Sequence, residues 1–298
     1  MRLTRTFALL APLVIGPLPF ATISHTPATI AAPASHRGER QALADWKVSY
    51  ELPAGWQVAQ RTERVHGLTT SAQGAVVYVA AGMYQSFNDV TADLNKAFQA
   101  LGLTGIPMGQ PASSTIRGMQ AMTADYTGQN QAGMPLRARV TAILSPHGTG
   151  VVVTGIAAPQ LMAQVQTAVD QVAASLEVTG PPQPNPRAVA ALQGRWMLYS
   201  GRADGATSAT GGSSNSYEET IQFDGQGRFA WQSSASVSVT TPGMTGNAGG
   251  AQASSDEGTY TVIGSTLVVR GRQGLAAFDL QILADRIVAD GKTYHRAD

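Results

Sequence analysis

The side chains that could do chemistry are few and far apart. His66, His147 and His295 fall at none of the offsets that metal ligands use, so no metal site is expected. The chain has no cysteine, which excludes disulfides, thiolate chemistry and a lipid-modified cysteine anchor. Glu218-Glu219 and Asp256-Glu257 are adjacent acids, but neighbours on a strand point to opposite faces, and neither pair makes a general acid/base couple by itself. Gly291-Lys292-Thr293 echoes a phosphate loop, yet Arg286 stands where the first glycine is required. Gly225-x-Gly227-x-x-Ala230 imitates a dinucleotide fingerprint, but it leads into a strand pattern, where no helix N-terminus awaits a pyrophosphate. No Gly-x-Ser-x-Gly elbow, His-Glu-x-x-His helix or calcium-loop spacing occurs. The expectation is no catalytic residue, no metal and no cofactor. Its rival is an envelope hydrolase with a site assembled from residues distant in sequence, His66 or His147 serving as base.

The second half holds the aromatic residues that a binding site would use. From Gly194 onward apolar and polar residues alternate in eight segments, from "RWMLYSGR" to "KTYHRA", separated by turns at Asp224-Gly225-Gln226-Gly227, Gly264-Ser265 and Asp290-Gly291. Eight short antiparallel strands close into a barrel, whose interior is either filled by side chains or just wide enough for one small ligand. Trp196, Phe223, Phe229, Trp231, Tyr260 and Phe278 are the candidates to line that interior, as core or as the wall of a cavity for a small apolar ligand. The small-residue stretch over 240–256 reads as a long surface loop.

The first half mixes strands with helices. "WKVSYELPAGWQVAQ" and "GAVVYVAAG" read as strands, and a helix follows, capped by Asn88 and stopped by Gly102. Four further strand segments turn at Gly118, Gly133 and Gly148 before a closing helix from about Pro159 to Leu176. The fold class is α+β: an antiparallel sheet with packed helices, then an all-β eight-stranded antiparallel barrel. Residues 46–178 form the first domain and 191–298 the second; the proline-rich 179–190 links them, and 35–45 is a polar leader.

Arg2 and Arg5 precede the apolar run "FALLAPLVIGPLPFA", and Ala32-Pro33-Ala34 is a small-x-small cleavage site. Residues 1–34 are read as a signal peptide cleaved after Ala34, the apolar run being too short and too rich in proline for a membrane span. The mature chain is then exported, to periplasm or medium, with no transmembrane segment. Only 13% of residues are charged, against roughly 25% in an average domain, and losing Arg2 and Arg5 takes the net charge from +1 to −1. With no basic run, nucleic acid is excluded as a partner.

Two resemblances stand on short motifs. Leu52-Pro53-Ala54-Gly55-Trp56, Ile116-Arg117-Gly118 and the closing "VAASLEV" resemble the PsbP-like family over most of 46–178, which implies a non-enzymatic interaction domain. Gly194-x-Trp196, "FDGQGRF", "GTYTV" and "DGKTYHR" resemble lipocalin-like domains of exported bacterial proteins over 191–298. That second resemblance implies a barrel-closing pair in which Arg296, from the last strand, covers the face of Trp196. A second lipocalin motif and a helix after the last strand are absent from the sequence. Together these point to an exported, non-catalytic binding or interaction protein of the bacterial envelope whose partner is a protein or envelope component. A secreted inhibitor or immunity protein is the remaining alternative.

Overall fold

The computed structural model describes residues 38–71, 74–100, 105–203, 212–240, 247–272 and 274–297. The signal-peptide reading and the helix stop at Gly102 lie outside them. The chain divides between Gln183 and Pro184 into two units.

The first unit runs β1 (Arg40–Leu43), β2 (Val48–Glu51), β3 (Trp56–Arg61), β4 (Val65–Thr70), β5 (Ala75–Gly82), α1 (Phe87–Ala100), β6 (Ile106–Pro107), β7 (Ala112–Ile116), β8 (Met119–Gln129), β9 (Pro135–Leu144), β10 (Gly150–Ala157), α2 (Met162–Ser175) and β11 (Glu177–Val178). Its main antiparallel sheet has the order β3-β4-β5-β10-β9-β8-β6, with β7 also on β8. Each sheet face takes one helix. Val90, Leu94 and Phe98 of α1 pack on Ala138, Val140, Ala142, Val152 and Ile156. On the opposite face α2 buries Val165, Ala168, Val169 and Val172. Gly155 admits α2 closely, since a Cβ there would stand 2.3 Å from Val165 Cγ1.

Two expectations are corrected here. The leader over 35–45 is structured from Arg40: β1 joins β2 and β11 in a small sheet and buries Gln41 and Leu43, with Trp46 buried just beyond, so pairing with β2 outweighs the polar composition. Helix α1 is capped by Ser86, not Asn88. Asp89 N–H donates to Ser86 Oγ at 3.3 Å and Ser86 N–H to Asp89 Oδ2 at 3.0 Å, a reciprocal capping box that starts two residues earlier than expected. Within the expected linker, Thr179 and Gln183 N–H donate to the carbonyls of Lys47 and Asp45, and α3 (Pro186–Ala191) begins with Asn185 Oδ1 accepting from Ala188 N–H.

The second unit continues with β12 (Gly194–Ala203), β13 (Gly212–Phe223), β14 (Arg228–Thr240), β15 (Asn247–Ile263), β16 (Thr266–Gly271), β17 (Gly274–Ile282), β18 (Arg286–Ala289) and β19 (Lys292–Ala297). These eight strands form a closed antiparallel barrel in sequence order, β19 returning to β12. The expected turns make the hairpins, with Asp290 at φ 47° and Gly291 at φ 77° between β18 and β19. The loop expected over 240–256 is a strand from Asn247 onward, in register with β14, while 241–246 lie outside the described residues. Pairing with a formed neighbour decides this stretch, which glycine and alanine leave without a strand signal of its own.

Candidate functional site

Cross-strand register sets which side chains enter the barrel. Trp196 stands opposite Ile221, which stands opposite Trp231; Leu198 stands opposite Glu219, which stands opposite Ser233. Paired residues share a face, so one parity of each strand supplies the interior.

At one end that interior is aromatic. Trp196 and Phe223 are buried, and the Phe223 and Tyr260 rings meet edge-on at 4.7 Å between centroids. Phe229 belongs to the same cluster, with Trp231 and Phe278 half-buried against it. Helix α3 stoppers this end: Trp196 Nε1 donates to the Leu192 carbonyl at 2.7 Å, Tyr260 Oη donates to the Val189 carbonyl at 3.1 Å, and Ala188 and Val189 pack on the core. All six expected lining residues therefore belong to one apolar cluster or pack against it. The Arg296 guanidinium lies over the Trp196 ring, 4.7 Å from its centroid, and also donates to the Gln193 carbonyl. Gly194 has φ 125°, which side chains rarely adopt, and a Cβ there would face that guanidinium at 3.7 Å.

One strand layer away lies a group that sequence reasoning passed over. Glu219 is 2% exposed and accepts from four side chains: Tyr217 Oη at 2.6 Å, Trp231 Nε1 at 2.7 Å, Tyr294 Oη at 3.0 Å and Lys292 Nζ at 3.1 Å. Burial pushes its pKa up, but the hydrogen bonds from Tyr217 and Trp231 and the charge of Lys292 outweigh that and hold the carboxyl below its ordinary range. The phenol of Tyr294 is pushed up, by burial first and then by the Glu219 charge, so it stays a donor. A carboxylate has about four lone-pair sites, and here each has a donor. The cage thus binds its own anion and ties β13, β14 and β19 together. The signal for it was parity: Glu219 shares an inward face with Ile221 and Phe223, where an acid must be paired.

The histidines lie on separate elements. His66 is 1% exposed on β4 and shares a 2.8 Å hydrogen bond between Nδ1 and Tyr50 Oη. Burial, then the charge of Arg61, lowers its pKa to about 4, so it is neutral at pH 7. His147 is exposed in the β9–β10 turn, and His295 lies on β19 in the other unit. Among the described residues no three His, Asp or Glu side chains cluster as metal ligands, and no helix is long and apolar enough to cross a membrane. A cavity in the first unit, bordered by Phe98, Tyr126 and Leu136, measures about 20 Å³, room for about one water.

No family model and no curated protein matches the chain. Among solved structures, cyanobacterial PsbP (CyanoP) of Synechocystis is 16% identical, covering 52% of this chain and 98% of its own at a TM-score of 0.35. LpqN of Mycobacterium tuberculosis, involved in cell envelope biogenesis, is 14% identical, covering 51% of this chain and 88% of its own at 0.33. A protein of unknown function from Pseudomonas aeruginosa is 20% identical, covering 46% and 92% at 0.30. At these scores the chain is similar to each over about half its length, and no family or activity is assigned.

Proposed function

We propose that the chain is an exported, two-domain, non-catalytic interaction protein of the bacterial envelope, whose barrel is a filled scaffold and whose partner, a protein or envelope component, binds on outer surfaces. The observation that carries this reading is the barrel interior. The six aromatic residues that would line a ligand cup pack in or against one cluster, residues of α3 bond and pack onto it, and Glu219 with its four donors lies in the next layer, which supports a filled interior. An apolar ligand would have to displace packed aromatic rings or break a satisfied carboxylate, and either costs several kcal/mol, roughly 3 to 5. The absence of a catalytic spacing in the sequence and the burial of His66 agree with a role in binding.

The test is capture of the tagged mature chain from its envelope fraction after cross-linking in cells, with the stoichiometry of the complex measured by light scattering. A fixed-ratio complex with a second protein or envelope component is expected. Turnover of an envelope substrate that disappears in a folded His66→Gln/His147→Gln variant would overturn the reading in favour of a hydrolase.

A further inference from the structure

We propose that the open edge of β15 pairs with the same edge of a second copy of this chain, giving a two-fold dimer through the second unit. β15 follows β14 from Asn247 to Thr259 but meets β16 only from Gly258 to Ile263. From Asn247 to Ala253 its main chain therefore has partners on β14 alone, among the described residues. Strand β12 behaves alike, pairing with β13 as far as Ala203 and with β19 only over Arg195–Met197. The four strands β12 to β15 thus run on past the closed part of the barrel as a sheet with two edges. Asp256 marks where β16 leaves: Oδ1 accepts from Arg272 N–H at 2.9 Å, and the carboxylate fills the space above Gly271, where a Cβ would lie 2.2 Å from Oδ2.

Edges of this kind are normally blocked by lysine, proline, an inward charge or a bulge. The edge sequence "NAGGAQA" carries none of the first three and keeps an unbroken register with β14. Residues 250–253 are exposed. The choice of a second copy rests on self-complementarity. Antiparallel pairing about Gly250 sets Gly249 against Ala251, Ala248 against Gln252 and Asn247 against Ala253, with no like charges and no two large side chains opposed. A foreign strand would be selected through side-chain pockets, which glycine and alanine do not provide. Pairing of β15 with β15 is two-fold and closes, whereas β15 against the β12 edge would repeat into a fibre. That other edge carries Tyr199, 67% exposed.

Gly250 is the natural probe. A Cβ there has nothing within 4 Å, and the chain contains no cysteine to interfere. Light scattering of the mature protein should give twice the mass of one chain. Gly250→Lys, which sets two ammonium groups opposite each other, should return it to the mass of one chain with an unchanged circular dichroism spectrum. Under mild oxidation Gly250→Cys should link into covalent dimers at least about tenfold faster than Gln232→Cys, exposed on β14 away from the edge. A wild-type protein that stays single at all soluble concentrations overturns the proposal. So does a dimer that Gly250→Lys leaves intact, a Gly250→Cys chain that links no faster than the control, or pairing that requires a second protein. Should Gly250→Lys fail to fold, the cysteine comparison decides alone.

Discussion

Glu219 shows how one charged side chain is kept inside a small barrel. Its carboxylate has exchanged water for two phenols, an indole and an ammonium group. Removing the acceptor strands those donors, so Glu219→Ala should destabilise the second unit by about 3 to 5 kcal/mol in urea titration. Lys292→Met, which removes one donor of four but leaves the charge buried, should cost less, about 1 to 3 kcal/mol. Because the folded pKa lies below the ordinary one, the carboxylate's contribution is complete above the ordinary carboxylate range and fades as pH falls through the folded value. His66 acts in the same direction in another window. Its pKa falls from 6.5 to about 4 on folding, so the unfolded chain binds the extra proton between those values. Stability should be whole above pH 6.5 and drop by about 3 kcal/mol by pH 4, and His66→Phe should flatten that slope in urea titrations of the first unit. The sequence revealed which residues were isolated histidines and acids; it did not reveal these partners, because Tyr50, Tyr294 and Lys292 reach their sites only through strand pairing.

Among the elements, those with regular alternation were legible and those made of small residues were not. The eight barrel segments alternate because one face is core, and the hairpin residues Asp290-Gly291 supply the backbone angles their turn needs. The first ten residues of β15 have no such alternation, and their strand state comes from β14. Helix α1 was placed by its apolar period, but its cap was misassigned because Ser86, Asn88 and Asp89 all offer capping oxygens and only the fold selects among them. Ser86→Ala should cost about 1 kcal/mol, read in thermal melts of the first unit. Close approach of elements is tested at two glycines. Gly155→Val should push α2 off the sheet at about 1 to 3 kcal/mol. Gly258→Ala should be worse, since its Cβ would stand 1.9 Å from the Arg270 carbonyl oxygen, a backbone atom that cannot swing aside.

At the level of the whole molecule, the filled barrel we propose would separate two roles that the sequence could not. The same aromatic residues would line a cup or fill a core, and parity alone does not say which; the difference lies in their contacts with one another and with α3. Arg296 over Trp196 then reads as closure of the barrel, and Arg296→Ala should lower stability by only about 0.5 to 1 kcal/mol. The most direct measurement is native mass spectrometry of the protein isolated from its source cells, followed by organic extraction of whatever is bound. A mass accounted for by polypeptide alone, one chain or several, is predicted. A stoichiometric lipid or other apolar molecule, lost when Trp196 or Phe223 is replaced by leucine in a protein that still folds, would contradict it and make the barrel a carrier.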